Sequence, residues 1–453
     1  MSLIDRWFQP AHASALAVFR IGLGLILLLD MIRYGFHLDI ERYYQEPDFL
    51  FYYWNLDWIQ PLSSSGMQWL YAVLAIASLG VTLGLFYRTS MVVFILGFTY
   101  TFLLDESRYL NHFYMVWLFA VLMLFMPANR IWSIDSWRKS PKDQTVPAWC
   151  YWLLIFQLEV ILIYAGLVKL NPDWLALEPL RTWLSYRSHM PFFGELFVQD
   201  WAVATAAYGV IGLHLLGAPL LLWKPARIWV MLVYAAFHTL NHFVFTIGIF
   251  PWMTLFTSLL VFGPDWPLRF WATIKRQPFF AESSTEQLAQ NYQKSRWIVT
   301  AIVVWSLCQV LIPLRHLAYP SDVAWSEEGH RFAWRMKLRS KHGHSDFLIH
   351  YKNGETYRVY PQQHLNKRQV HCMPCQPDMI WKFARFLEQH YSNGRPSLAS
   401  NNPIVSITTN SVCSLNGRPR QRIVSPTTNL LSVDYNITPT EWILPLTTPL
   451  PSR

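Results

Sequence analysis

Charged side chains make up only 14% of the 453 residues, and the charge that is present is unevenly spread. Cysteine is also sparse, with five in all. Cys372-Met-Pro-Cys375 is a Cys-x-x-Cys pair with neither a second pair nor a thioredoxin-like pattern around it, so a redox or metal role is set aside. His238 and His242 stand four apart, the spacing that can hold a metal, but no carboxylate follows in the pattern a zinc hydrolase needs. They read as polar groups lining a cavity, and no metal is expected. No small-residue cleavage site follows the first apolar run, so that run reads as a retained helix and not a signal peptide. No inverted repeat or discontinuous helix pair supports a transporter.

Apolar sequence is plentiful. Hydrophobic residues reach 53%, while 28 prolines and a net charge of +9 argue for two regions of different character. Residues 1–316 carry repeated apolar runs near the ~20 residues that cross a bilayer, at 13–32, 67–86, 90–105, 112–127, 148–169, 202–223, 228–247, 250–263 and 297–315. The expected fold is a polytopic α-helical membrane protein of about nine transmembrane helices, with a C-terminal α+β extramembrane domain. With the N-terminus inside, the inner segments collect thirteen Lys/Arg against six outside. That asymmetry marks a cytoplasmic N-terminus and, after an odd number of spans, a periplasmic or lumenal C-terminal domain.

Residues 317–424 are expected to form that domain, and residues 425–453, rich in Thr and Pro, an extended tail. Asn353-Gly354 between two alternating segments predicts a hairpin over 347–360. Ile380, Phe383 and Leu387 share one face of a helix opening at Pro377. Arg335, Lys337, Arg339 and Lys341 alternate with Trp334, Met336 and Leu338, predicting a strand with one basic face. With Arg418, Arg420 and Arg422 this face suggests a groove for an acidic partner, a glutamate-rich peptide or lipid head group and not nucleic acid. Cys372, Cys375 and Cys413 permit one disulfide among themselves, and the sequence does not choose it.

The chemistry-bearing groups gather at one membrane face. Lys169 ends the fifth run, in Tyr164-Ala-Gly-Leu-Val-Lys-Leu-Asn-Pro-Asp-Trp174, and Asn111-His112 begins the fourth. A lysine there is either a snorkelling anchor or, if desolvated, a base. Consecutive helices are usually neighbours, so contact between His112 and Lys169 is expected. Arg20, Asp30 and Glu159 lie inside runs and require partners.

At these residues the sequence resembles the vitamin K-dependent γ-glutamyl carboxylase family, including its bacterial members. The stretches that carry the resemblance run in family order: Val18-Phe-Arg-Ile-Gly-Leu-Gly24, Tyr109-Leu-Asn-His-Phe-Tyr114, Ala165-Gly-Leu-Val-Lys-Leu-Asn-Pro-Asp-Trp174, His238-Thr-Leu-Asn241 with Ile247-Gly-Ile-Phe250, Phe332-Ala-Trp-Arg-Met336, Tyr351-Lys-Asn-Gly354, Pro377-Asp-Met379 and Gln421-Arg-Ile423. The resemblance implies an HTTM-like membrane domain and a carboxylase of the lyase class that is also a vitamin K epoxidase. Lys169 would deprotonate reduced vitamin K, the hydroquinone co-substrate. O2 then adds to the quinone anion, and the resulting alkoxide takes a γ-proton from a peptide glutamate as the epoxide forms. CO2 traps the carbanion as γ-carboxyglutamate.

The same resemblance places His112 and Asn111 beside the quinone oxygen, assigns His238, Asn241 and Phe250 to the quinone pocket, and assigns Trp334, Met336 and Arg422 to the peptide, with Arg339 and Arg418 added from the basic groove. Arg339 stands where the animal enzymes carry histidine, and His371-Cys372 where relatives place arginines. The first outer loop has no cysteine for the animal family's disulfide. A quinone epoxidase without efficient carboxylation, and a non-catalytic lipid- or quinone-binding membrane protein, are the alternatives.

Overall fold

A computed structural model describes residues 2–37, 39–53, 56–139, 143–245, 247–277, 292, 294–392, 402–435 and 438–451. Lys142, counted above among the inner cations, lies outside them. The apolar runs are helical: α1 (Ser14–Ile32), α2 (Ser64–Leu83), α3 (Tyr87–Leu103), α4 (Asn111–Phe125), α5 (Trp149–Leu167), α6 (Asp200–Leu215), α7 (Gly217–Leu222), α8 (Arg227–Phe245), α9 (Phe250–Ser258) and α10 (Arg296–Leu311). Five are long and apolar enough to cross a membrane, namely α1 extended to Phe36, α2, α5, α8 and α10 extended to Ala318. Helices α3, α4 and α9 with its continuation to Phe262 are apolar but shorter. These helices and the C-terminal α+β region fit a membrane protein.

The run at 202–223 departs from the expected single helix and breaks between α6 and α7 at Leu216. Pro219 offers no N–H, and its ring would collide with the carbonyl of Leu215 in a continuous helix. The break leaves His214 in the last turn of α6.

Burial separates lipid-facing from inward surfaces. Helix α5 is the innermost, its residues mostly buried. On α8, Trp229, Leu232, Val233, Leu240 and Phe243 are exposed, while Tyr234 and His238 turn inward. Such an arrangement faces carbon to lipid and spends polar groups on the interior. Arg20 finds partners that are structural: it donates to the carbonyls of Ala128, Thr82 and Trp132. Asp30 pairs with Arg33 at 2.7 Å.

The C-terminal region holds two three-stranded antiparallel sheets. In one, β4 (Phe347–Tyr351) lies between β5 (Thr356–Val359) and β6 (Ile404–Thr409), so the Asn353-Gly354 hairpin forms as the sequence predicts. In the other, β7 (Val412–Leu415) lies between β3 (Lys341–His344) and β8 (Gln421–Arg422); β1 (Pro10–His12) and β2 (Thr145–Pro147) pair separately in the N-terminal region. Helix α11 (Pro377–Ser392) buries Ile380, Phe383 and Leu387, with Phe383 edge-on to Phe347 at 5.1 Å. A disulfide joins Cys375 to Cys413, which settles the choice among the three outer cysteines and leaves Cys372 as a free thiol.

The alternating segment 334–341 is not a strand until Lys341. Phe332, Trp334 and Lys337 have φ of 60°, 53° and 52°, left-handed values incompatible with extended backbone. The physical cause is competition from tertiary contacts. Trp334 is fully buried and stacks on Tyr114 of α4 at 5.0 Å. Lys337 lies over the Trp183 and Phe245 rings, and Arg339 and Lys341 converge on Glu327 at 2.7 and 2.5 Å. No continuous basic face results.

Arg331 fastens the two regions together. Its guanidinium lies 2.6 Å from Asp378 at the start of α11 and 3.5 Å from Glu106, which also pairs with Lys382 at 2.6 Å. Arg331 holds the buried Asp378 carboxyl down at about 2. The stability this contributes is fully present above the ordinary value of 3.8 and is lost as pH falls from there toward 2. Arg331→Met strands the buried Asp378 carboxylate and leaves Glu106 to Lys382 alone, and thermal unfolding followed by tryptophan fluorescence should show a loss of about 3–5 kcal/mol at neutral pH. Between pH 4 and 2 the gap from wild type should narrow.

Candidate active site

Lys169 is placed by the way α5 ends. Asn171 caps the next short helix, Pro172–Leu175, by accepting from the Trp174 N–H at 3.0 Å, and its side-chain amide donates back to Val168 at 2.8 Å. Pro172 suits a first helical turn and cannot prolong α5. The chain therefore turns just past the apolar helix, and Lys169 folds back so that Nζ donates to the Ala165 carbonyl at 2.7 Å. The side chain is 5% exposed, and its ammonium position is 5.1 Å from the Trp174 ring centre. Among the described residues no carboxylate pairs with it. Burial alone pulls its pKa from 10.5 down to about 7.

Sequence reasoning missed an ionisable neighbour, His214. Gly166 lets α6 approach α5 so closely that a Cβ there would lie 2.7 Å from Leu215 and 3.0 Å from the His214 Cβ. His214 is buried, within electrostatic reach of Lys169, with Nδ1 2.8 Å from the Val210 carbonyl. That contact assigns the N–H to Nδ1 and leaves Nε2 as an acceptor. The available signal was a histidine inside an apolar run, three residues ahead of a Gly-x-Pro break.

From His214 a polar line runs inward. Its ring meets Tyr234 edge-on at 6.1 Å, and Tyr234 stacks on His238 at 5.7 Å. His238 is 1% exposed, and neither ring nitrogen has a hydrogen-bond partner among the described residues. Phe250, at the start of α9, lies 6.3 Å from the His238 ring, and Asn241 is half-buried one turn further along α8. Glu159 of α5 is buried near Tyr234, with Oε1 unpartnered among the described residues.

His112 opens α4, its Nε2 buried and also without a partner among the described residues. Gly248, at φ 63°, turns the chain so tightly against it that an added Cβ would stand 3.4 Å from Nε2. No hydrogen bond or ring contact among the described residues joins His112 to Lys169. They are connected indirectly, since His112 faces the Gly248 turn that leads to Phe250 and His238. Asn111 accepts from the Tyr109 hydroxyl at 3.2 Å, and that hydroxyl accepts from the Phe332 N–H at 2.7 Å.

Among the residues expected to hold peptide, Trp334 is buried against Tyr114, and Met336 is half-buried against the helical core. Arg339 is committed to Glu327 and His330. Arg418 grips Asp173, four residues beyond Lys169, with two bonds of 2.6 Å. Those engagements correct the expected open groove: of the five, only Arg422 is exposed. The Arg418 bond gives a fork-to-carboxylate clamp over the lysine turn.

Buried side-chain atoms of His112, Glu159 and His238, on three helices, are thus left without hydrogen-bond partners among the described residues. Residues 8–266 match the HTTM domain, and residues 294–449 match the vitamin K-dependent gamma-carboxylase lumenal domain. No solved structure matches.

A lysine held neutral by burial works against folding whenever it must lose a proton to fold. With a folded value near 7 and an ordinary value of 10.5, stability is complete above about pH 10.5, falls as pH drops to 7, and is level below. Lys169→Met removes this cost. Its melting temperature at pH 7 should equal or exceed that of wild type, and the difference should shrink as pH rises to 10. A lower melting temperature for the variant at every pH would contradict an uncompensated buried amine.

Proposed function

Because the chain belongs to the vitamin K-dependent γ-carboxylase family, we propose that it oxygenates vitamin K hydroquinone to the epoxide and couples this to carboxylation of peptide glutamate. The observation that carries the reading is the buried, unpaired Lys169 amine, lowered to about 7. Near neutral pH such an amine is free to accept a proton from a hydroxyl that ionises near 10, as a phenol does. The hydroquinone is a substrate that enters from lipid, and the unpartnered nitrogens of His238 and His112 and the side chain of Asn241 would orient its oxygens. His112 and Asn111 would stabilise the developing oxygen anion. O2 and CO2 complete the reaction.

In this reading the chain crosses the membrane nine times with its N-terminus in the cytoplasm. The domain of residues 317–424 and the tail 425–453 then lie in the periplasm or lumen. The Arg418–Asp173 clamp and the Phe332–Tyr109 bond would hold the C-terminal domain, which would bind a glutamate-containing peptide, over the lysine. A second reading has a specific observation in its favour. Arg339 and Arg418 are already paired, which leaves less for a peptide carboxylate and favours a quinone epoxidase that carboxylates poorly.

Purified protein in lipid nanodiscs, given reduced vitamin K, O2, a glutamate peptide and labelled bicarbonate, tests the proposal. Wild type should form epoxide with a rate that rises as pH passes through about 7 and then levels. Lys169→Ala should lose a factor on the order of 10²–10⁴ at pH 7 and recover as pH approaches the phenol range near 10. Absence of epoxide from wild type refutes the enzyme reading, and absence of recovery refutes the role of base. Epoxide without labelled peptide selects the second reading.

A further inference from the structure

Three helix ends meet on one face, where α5 closes at Leu167, α6 opens at Asp200 and α8 closes at Phe245. Val168, Val203 and Val244, one from beside each end, share a buried cluster, to which the segment linking α5 to α6 adds Leu180, Leu184 and Phe197. The rim of this assembly is apolar and uncovered. Phe192 of the linking segment is 97% exposed, and Trp201 in the first turn of α6 is 64% exposed. Aromatic side chains left bare at the ends of apolar helices belong at the level of lipid head groups.

Two cations converge at that level. The left-handed turn at Lys337 carries its side chain onto Trp183 of the short helix Leu180–Ser185 and onto Phe245. Nζ lies 5.2 Å from each ring centre, and the two rings meet edge-on at 6.1 Å. Burial and, after it, the nearby charge of Arg187 pull Lys337 below its ordinary value of 10.5. The two side chains are therefore within electrostatic reach of each other, and among the described residues neither has a hydrogen bond or an ion pair. Other cations of this face are already matched, Arg181 with Asp200 and Arg418 with Asp173. Like charges held together repel, and an anion placed between them converts the repulsion into attraction.

We propose that Lys337 and Arg187 together bind the phosphate of an anionic phospholipid whose acyl chains enter the bilayer beside these helix ends. A phosphate has oxygens enough to accept from an ammonium and a guanidinium at once. The aromatic rim selects the carrier of that phosphate: acyl chains cover exposed carbon, whereas a peptide carboxylate would bring backbone N–H and C=O groups against Phe192 and Trp201 and leave them short of partners. A net negative head group is required. The quaternary ammonium of phosphatidylcholine would add a third positive charge beside two that already lack a partner. The site is separate from the Lys169 chemistry and does not rest on it.

Delipidated protein in a neutral detergent, titrated with phosphatidylglycerol or with phosphatidylcholine and followed by native mass spectrometry, tests the site. Wild type should hold phosphatidylglycerol the more tightly by about thirtyfold, which is about fivefold for each cation. Lys337→Gln and Arg187→Gln should each lose about fivefold of that preference, and the double variant all of it. Lys352→Gln, at an exposed lysine in the turn between β4 and β5, should lose none. Melting temperatures in phosphatidylcholine should match wild type or exceed it, because each variant removes one of two like charges. Equal affinity for the two lipids, or a preference that survives in the double variant, would overturn the proposal. Binding of inorganic phosphate or of a glutamate peptide as tight as that of phosphatidylglycerol would also overturn it, assigning the pair to a soluble anion or to the peptide.

Discussion

An amine buried without a counter-charge is the constraint around which the rest of this molecule is arranged. Taking an ammonium out of water is costly, and the usual remedy is a carboxylate within reach. Lys169 has instead a single carbonyl at 2.7 Å and the face of Trp174. Remaining neutral is the way it meets that cost, and a neutral amine is a base. The close approach of α6 at Gly166 then sets a second nitrogen base, His214, beside it.

The outer region holds this arrangement in place. Arg418 reaches down to Asp173 on the turn that ends α5, Phe332 bonds Tyr109 two residues ahead of Asn111, and Trp334 stacks on Tyr114 on the following turn. Each of these contacts touches an element bearing a candidate catalytic group. The left-handed backbone at Phe332, Trp334 and Lys337 costs energy, and it persists because the aromatic and cationic anchors on either side determine it.

Much of this was legible in the chain before its coordinates. The end of α5 was readable from Leu170-Asn-Pro-Asp, the hairpin from Asn353-Gly354, and α11 from Pro377 and its apolar spacing, because each is fixed by local backbone chemistry. The alternation at 334–341 misled because period two records only that neighbours differ. Trp334, Lys337 and Arg339 do alternate in character, but each is drawn to a different partner far away in sequence. His214 and the Arg418–Asp173 clamp were hidden for the same reason, and so was the choice of Cys375 and Cys413 for the disulfide. Pairings between distant segments are properties of the packed chain.

The central claim is that burial lowers the Lys169 ammonium so far that it gives up its proton near neutral pH instead of near 10.5. Nitrogen NMR of ¹⁵Nζ-lysine-labelled protein in nanodiscs, with the Lys169 signal assigned by its loss in Lys169→Arg, reads that state directly. The account predicts one lysine titrating with a midpoint near 7, in the direction burial dictates. A midpoint that stays near the ordinary 10.5 would contradict it.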